Sequence, residues 1–290
     1  MALVEDVPAT QQAISRQIGL LISKFSPWSN LHHAKRILMN LRTSLMETAA
    51  HRDTTVRTML WISKALILRL HDVKDVLELL LDLTADVSHG AVVSRGLGLL
   101  LAPDEIFSKE NGASIRLLAK QKVFNFCIPR IARDFRGSDN AVKPNLLVAL
   151  SGLLKYMPTQ VIMQEIDILL PLLLQSLELE DADVKAATIY SLSVISRESP
   201  TAIEGHMGSM VSRLLKSSVR SAANGPTVRL NALRCLKAFP GKVKDATLLP
   251  YRNTVTRGLM TALDDPKRDV RTEAVDCRAA WLGMDEPDSD

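Results

Sequence analysis

The segment DADVKAATIYSLSVISRESP, residues 181–200, sets the fold class because its pattern returns along the chain. In each copy a polar turn is followed by a valine, a basic residue and an apolar helical stretch, as in GPTVRLNAL and KRDVRTEAV. The valines Val142, Val184, Val228 and Val270 lie 42, 44 and 42 residues apart. Repetition at such a period indicates a repeat architecture.

Two earlier copies extend the repeat toward the N-terminus. Val56 precedes Val142 by 86 residues, which is two periods, and Val93 fills the interval at uneven steps of 37 and 49 residues. The second step is long because an extra loop, Pro103 to Ser114, interrupts the pattern. The repeat therefore covers most of the chain.

Each period predicts two helices. Apolar residues recur four and eight positions after the valine, as at Leu146 and Leu150, which marks one face of a helix. Another apolar-periodic stretch precedes each valine, and prolines such as Pro158 and Pro200 close several helices. Neither helix can cover its apolar face alone, so successive pairs must stack. The sequence predicts an all-α fold, a HEAT-repeat α-solenoid (ARM/HEAT superhelix) of about six helical pairs plus a leading helix.

The predicted solenoid occupies residues 1–290 as a single domain. Because the first helix has the character of the second member of a pair, we expect the chain to begin inside a longer solenoid and to be a C-terminal fragment. The predicted parts are a half repeat at 7–26, helical pairs at 31–70, 72–102, 115–157, 160–199, 203–239 and 248–282, and an acidic tail at 283–290.

The composition excludes several classes of protein. With 47% hydrophobic, 23% charged and 4% aromatic residues, the chain is globular and not disordered. The longest apolar run, Ile168 to Leu174, has seven residues, whereas a membrane span needs roughly 18–20. The three cysteines form no close pair and the N-terminal MALVEDVPAT is acidic, so we expect a reducing, cytosolic or nuclear compartment and no membrane.

No pattern typical of an active site or a metal site is present in the sequence. His32, His33 and His51 have no carboxylate or cysteine at ligand spacing. The GLGLLL stretch, residues 96–101, lacks the third glycine of a dinucleotide loop and follows no predicted strand. Nucleophile-elbow, P-loop and paired-carboxylate motifs are also absent. We therefore predict that the chain is not an enzyme and carries no cofactor.

The net charge of +4 is unevenly distributed. Fourteen Lys or Arg stand against six Asp or Glu from Arg213 to Arg278, whereas Glu165 to Asp183 contains six acids and no base. Such segregation indicates surfaces for partners, and a basic surface fits an acidic one. The sequence has no recognition-helix signature and few aromatics for base stacking, which argues against direct nucleic-acid binding.

A basic residue follows five of the six repeat valines. One interpretation is a basic groove for acidic peptides or a nucleic-acid backbone. The favoured interpretation is a series of cross-links between repeats, with Asp53, Asp139 and Asp181 and the turn carbonyls as partners. The residues after the valines are Arg57, Ser94, Lys143, Lys185, Arg229 and Arg271.

The C-terminal segment LLPYRNTVTRGLMTALDDPKRDVRTEAVDCRAAWLG, residues 248–283, carries a family resemblance. Together with residues 92–124 and with TVRLNALRCLKAFP at 227–240, it resembles the end of the MMS-nineteen family. That family is the large HEAT-repeat scaffold of the cytosolic iron–sulfur assembly targeting complex, first known from DNA repair and transcription.

The resemblance implies an adaptor that does no chemistry and works in the cytoplasm and the nucleus. In that family the C-terminal repeats dock the small assembly-factor subunit, which holds a β-propeller subunit. The complex delivers iron–sulfur clusters to apoproteins, including DNA helicases and polymerases. Cys127, Cys235 and Cys277 lie in three separate repeats and are not cluster ligands. Alternative functions are a nucleic-acid-binding or a transport-receptor-type HEAT protein.

Mapped by position, the docking surface falls on the last repeats, where the basic excess lies. Arg234 and Lys237 are three residues apart on a second helix and share a face. Trp281 is expected to pack in the core. The candidate partner-binding residues are Arg229, Arg234, Lys237, Arg271 and Arg278.

Overall fold

The computed structural model describes residues 9–24, 27–47, 52–68 and 73–284. Within these ranges the chain is helical, and its only β-type pairs are isolated bridges, Ser221 with Asn224 and Pro240 with Val243. The predicted all-α repeat fold is therefore confirmed. His51 and the acidic tail from residue 285 onward lie outside the described residues. The chain divides into two compact units, Met1–Met157 and Pro158–Asp290.

The first unit contains seven described helices. Helix α1 packs on α3, and α5 packs on α7. The predicted loop from Pro103 to Ser114 is non-helical and follows a 3₁₀ turn at Leu97–Leu100. The helices are α1 Ala9–Lys24, α2 Pro27–Glu47, α3 Arg52–Leu68, α4 Lys74–Thr84, α5 Gly90–Gly96, α6 Leu117–Gly137 and α7 Lys143–Leu154.

In the second unit, first and second helices alternate as the repeat predicts, but the first helices are interrupted. Glu165 separates α8 from α9, and Leu259 separates α14 from α15. The second helices α10, α13 and α16 pack side by side. The helices are α8 Thr159–Gln164, α9 Ile166–Ser176, α10 Ala182–Glu198, α11 Pro200–Ile203, α12 Met207–Ser218, α13 Pro226–Lys237, α14 Asp245–Gly258, α15 Met260–Leu263 and α16 Arg268–Leu282.

The repeat valine and the apolar residues after it form the core. In α10, Val184, Leu192 and Ile195 are buried, as their helical spacing requires. Trp281 is fully buried, and its indole N–H donates to the carbonyl of Leu236 at 2.9 Å. The expected packing role of this tryptophan is therefore observed.

The GLGLLL stretch ends helix α5 and forms the 3₁₀ turn after it. There Gly98 lies directly against Gly152 of α7, so that a Cβ at Gly98 would come within 3.0 Å of the Gly152 carbonyl oxygen. These glycines serve the close packing of two chain segments, not the binding of a nucleotide.

Candidate partner-binding surface

Two of the three basic residues after the repeat valines of the second unit link neighbouring helical pairs, but their partners are not the predicted aspartates. Lys185 donates to the side-chain oxygen of Asn224, 2.9 Å away in the turn of the next pair. Arg229 forms an ion pair with Asp265, which lies in the turn of the last helical pair. Asp181 instead caps α10, where its carboxylate accepts hydrogen bonds from the backbone N–H groups of Asp183 and Val184.

Arg229 lies inside the fold, with its side chain only 4% exposed. Its Nε and Nη2 donate to the two carboxylate oxygens of Asp265 at 2.7 and 3.1 Å, and its Nη1 donates to the Asn224 carbonyl at 2.6 Å. Burial by itself would raise the pKa of Asp265, but the hydrogen bonds from Arg229 and the Lys267 N–H hold that pKa below its usual value. The structure thus gives Arg229 a structural role in place of the predicted partner contact.

Arg234 and Lys237 share an exposed face of α13, but both already pair with α16. The Arg234 Nε lies 3.2 Å from Glu273, and Lys237 contacts Glu273 and lies 3.5 Å from Asp276. The hydrogen bond from Lys237 to Glu273 raises the pKa of that lysine. Two carboxylates that sequence reasoning missed therefore balance these two bases. Their spacing of 36 to 39 residues from the bases, close to one repeat, was the available signal.

Arg271 and Arg278 lie on α16, on a different side of that helix from Glu273 and Asp276. The Nη1 of Arg271 donates to the Asp265 carbonyl at 2.7 Å. Arg278 is half-buried, and its Nε makes no hydrogen bond within the described part of the chain. Val275 and Leu282 are exposed on the same side of the helix. The structure therefore brings two of the five candidates together with apolar surface.

Pairing between repeats also cancels part of the charge segregation. Glu178, from the acidic stretch, binds Arg213 at 2.8 Å and Lys216 of the following pair. The hydrogen bond from Lys216 and the charges of both bases hold the pKa of Glu178 below its usual value. Of the remaining bases of the excess, Arg252 donates to the Leu282 carbonyl at 2.7 Å, and the others are exposed: Arg220, Lys242, Lys244, Arg257, Lys267 and Arg268.

The cysteines are packing residues. Cys127, Cys235 and Cys277 are buried in α6, α13 and α16, and burial raises the pKa of each thiol to about 12. His32 and His33 are exposed on α2. Across the described ranges, no three His, Cys, Asp or Glu side chains come together as metal ligands would.

Among the described residues of the first unit, Lys64 of α3 is a fully buried lysine. Its ammonium donates to the carbonyls of Leu99 and Ala102 at 2.9 and 2.6 Å, and lies 5.1 and 5.5 Å from the ring centroids of Trp61 and Phe107. Burial lowers its pKa to about 8. Because the side chain is fully buried and hydrogen-bonded, it anchors the segment that begins the long loop and is not a reactive amine.

A second contact fixes the same loop to α1. Arg16 and Asp104 form a two-point ion pair, at 3.0 Å from Nε and 2.8 Å from Nη2. The Asp104 carboxylate also accepts hydrogen bonds from the backbone N–H groups of Ile106 and Phe107.

None of the described helices is both long enough and apolar enough to span a bilayer.

Comparison with solved structures shows the fold. An engineered protein is 16% identical with a TM-score of 0.55, covering 86% of this chain and 96% of that chain. A designed armadillo repeat protein is 12% identical with a TM-score of 0.52, covering 92% of this chain and 99% of that chain. Both likenesses concern the fold alone, and the second is to a designed repeat protein.

Comparison with known sequences shows the family. A family model described as RNAPII transcription regulator C-terminal matches residues 1–240. The MMS19 nucleotide excision repair protein homolog of Mus musculus is 30% identical over 97% of this chain and 27% of its own length. The Xenopus laevis homolog is 35% identical over 82% of this chain and 23% of its own length.

A fungal relative agrees with the vertebrate ones. The DNA repair/transcription protein mms19 of Schizosaccharomyces pombe is 31% identical over 81% of this chain and 23% of its own length. The chain thus spans about a quarter of the length of the curated relatives it matches. The resemblance stated from the sequence is confirmed, and the chain belongs to the MMS19 family, within which it corresponds to the C-terminal region.

Proposed function

We propose that the chain is a non-catalytic scaffold whose last helical pairs dock cytosolic iron–sulfur assembly factors. Through these factors, clusters are delivered to apoproteins, including DNA repair and replication enzymes. The observation that carries the proposal is the family match over residues 1–240. The names of the relatives, which refer to nucleotide excision repair and to DNA repair/transcription, fit clients of that kind.

The chemistry of the described residues supports a scaffold and not a carrier of the cluster. Cluster ligation requires thiolates, whereas Cys127, Cys235 and Cys277 are buried with pKa values near 12. The cluster would therefore be held by the docked factors. We assign the protein to the cytoplasm and the nucleus on the same grounds of family.

Stacked helical pairs suit this role because, within a unit, successive pairs hold their surface residues in fixed register. The side-chain links between successive pairs, such as Arg229 with Asp265, set that register without any ligand. A rigid surface loses little conformational freedom when a partner binds.

Reconstitution tests the proposal. The purified chain is mixed with the small assembly-factor subunit, alone and together with the β-propeller subunit, and analysed by size-exclusion chromatography with light scattering. We expect a complex of defined stoichiometry with the small subunit, a larger complex with both, and no iron in the chain alone. Absence of a complex at micromolar concentration near 150 mM salt would refute the docking function.

A further inference from the structure

The exposed side of α6, Leu117–Gly137, is strongly basic. From Arg116 to Arg136 the chain holds six Lys or Arg and one acid, Asp134, which is a net charge of +5 against +4 for all 290 residues. A row of exposed residues follows the helix at spacings of three and four, which keeps them on one side. This row, the α6 stripe, consists of Leu118, Lys122, Asn125, Pro129, Arg133 and Arg136.

Helix α6 lies in the interior of the chain, with helical pairs before and after it in the sequence. In the first unit α4 packs on it, and α7 follows as the second helix of its own pair. The stripe residues are exposed with all of these helices in place. Their exposure is therefore a property of this part of the fold and not of an end of the sequence.

Several bases on first helices are used in ion pairs between neighbouring helices. In the second unit, Arg213 of α12 lies 2.8 Å from Glu178, just after α9. In α6 itself, Arg130 makes such a link, since its Nη2 lies 2.7 Å from Asp82 of α4. Bases held in this way belong to the stack and are not offered to a partner.

The bases of the α6 stripe are not used in such links. Within the described residues, the side chains of Lys122 and Arg136 make no hydrogen bond or ion pair. Arg133 reaches Asp134, the next residue, at 3.3 Å, and its own side chain is 66% exposed. Arg130 binds the same carboxylate at 2.6 Å. Because an exposed and shared ion pair contributes little, the stripe keeps accessible positive charge along its length.

Apolar surface lies at the N-terminal end of the same helix. Leu117 is 50% exposed and Leu118 is 55% exposed. A leucine gains free energy from contact with apolar side chains and not from contact with phosphate or sugar groups. A basic row that ends in two exposed leucines therefore fits an acidic protein segment better than a nucleic acid.

The neighbouring helix limits how broad the partner can be. Asp75, Glu78 and Asp82 of α4 are exposed, and packed helices lie about 8–10 Å apart. A broad anionic surface, such as a membrane or a nucleic-acid duplex, meets these acids when it approaches the stripe, and like charges repel. A single extended chain segment lies along α6 without reaching them.

We infer that the α6 stripe binds an acidic, extended segment of a partner protein, and that Leu117 and Leu118 receive apolar side chains at one end of that segment. Carboxylates of the segment contact Lys122, Arg133 and Arg136. The helix is about 30 Å long, a length that about nine extended residues span. The inference goes beyond the docking function proposed above and does not depend on it.

Binding of a synthetic peptide to the full chain tests the inference by fluorescence anisotropy. The probe is a labelled peptide of about twelve residues, mostly glutamate, with two leucines at one end. Two versions, with the leucines at either end, cover both directions of binding. We expect saturable binding that weakens as the salt concentration rises. Lys122→Glu combined with Arg136→Glu should weaken it by about ten-fold or more, because both changes set like charges against the peptide.

Lys242→Glu combined with Arg268→Glu is the matched control, since both are exposed bases of the second unit and the change in net charge is the same. This control should bind within about two-fold of wild type. Leu117→Ser combined with Leu118→Ser should bind the leucine peptide about three-fold more weakly. The same variant should bind a peptide without leucines as wild type does. Circular dichroism melting of each variant verifies that the fold is intact.

Three results would overturn the inference. The first is no saturable binding of either peptide to wild type at about 100 μM. The second is equal binding by the charge-reversed stripe and its matched control. The third is tighter binding of single-stranded DNA or of phosphatidylserine vesicles than of the peptide, lost in the stripe variant, because the occupant is then a nucleic acid or a membrane. Reconstitution with the assembly factors measures the docking function separately.

Discussion

The buried lysine of the first unit is a residue whose role the sequence conceals. Lys64 stands eight positions after Val56, where the following copies have Leu101 and Leu150. The repeat therefore predicts that this position is buried, but it does not predict which groups stabilise a buried cation there. Its ring contact Phe107 comes from the non-periodic loop, and its hydrogen-bond acceptors are backbone carbonyls. Helical periodicity contains no information on either.

Replacing Lys64 by methionine should change how stability depends on pH. The pKa of Lys64 is about 8 in the folded chain and 10.5 when exposed. Between these values the unfolded chain binds a proton that the folded chain has released, so the free energy of unfolding rises with pH. Across the window the gain is about 3 kcal/mol. Lys64→Met removes it.

Urea unfolding of wild type and Lys64→Met from pH 7 to pH 10.5 measures this difference. The free energy of unfolding of wild type, relative to that of Lys64→Met, should rise with pH, because all other titrating groups are common to both chains. Parallel stability profiles would show that Lys64 keeps its ordinary pKa in the fold.

Arg229→Met should destabilise the chain by about 3–5 kcal/mol, because it leaves the Asp265 carboxylate buried without its partner. Burial would then raise the pKa of Asp265, so the loss should be smaller at pH 4 than at pH 7. Arg229→Met combined with Asp265→Leu should recover most of the stability. Chemical denaturation at the two pH values measures all three chains, and a pH-independent loss would contradict the explanation.

At the scale of elements, the repeat valine predicts where second helices begin. Helices α10, α13 and α16 start two residues before Val184, Val228 and Val270. The interruptions of the first helices at Glu165 and Leu259 were not predicted, because apolar periodicity continues through both positions. Amphipathic spacing identifies the buried face of a segment but not a local change of backbone direction.

The close approach of the 3₁₀ turn to α7 gives a prediction for these two elements. Gly98→Ala would place a Cβ 3.0 Å from a backbone oxygen of Gly152, and a backbone cannot yield as a side chain does. We expect a loss of about 1–3 kcal/mol in the free energy of unfolding.

Gly137→Ala is the control for this substitution, since a Cβ there would meet nothing within 4 Å. That change should be neutral or stabilising by about 0.4–1 kcal/mol. Thermal unfolding of both variants compares them, and equal melting temperatures would contradict the steric explanation.

The candidate site could be predicted only in part, because the sequence does not show how one helical pair is offset against the next. Sequence spacing places Arg234 and Lys237 on one face of a helix, and in the structure they do share a face of α13. It does not show that Glu273 and Asp276 of the next helix reach them, because that depends on how one pair is offset against the next. The same offset buries Arg229 and leaves Arg271 accessible at the equivalent position.

For the whole molecule, the distribution of charge leads to a prediction on nucleic acids. The net charge is +4, and several of the bases counted in the C-terminal excess pair with acids of neighbouring repeats. Binding driven by phosphate contacts needs accessible bases in number. A gel shift with single- and double-stranded DNA near 150 mM salt should show no complex at micromolar protein. A complex that weakens steeply with salt would favour the nucleic-acid alternative.

The reactivity of the three buried thiols reports how often the helices around them open. A thiol with a pKa near 12 inside a closed helix stack is inert to a disulfide dye, so modification can proceed only while that part of the chain is open. Cys127 belongs to the first unit, and Cys235 and Cys277 belong to the second. Mass spectrometry of labelled peptides over time therefore ranks the local stabilities of the two units without any engineered probe.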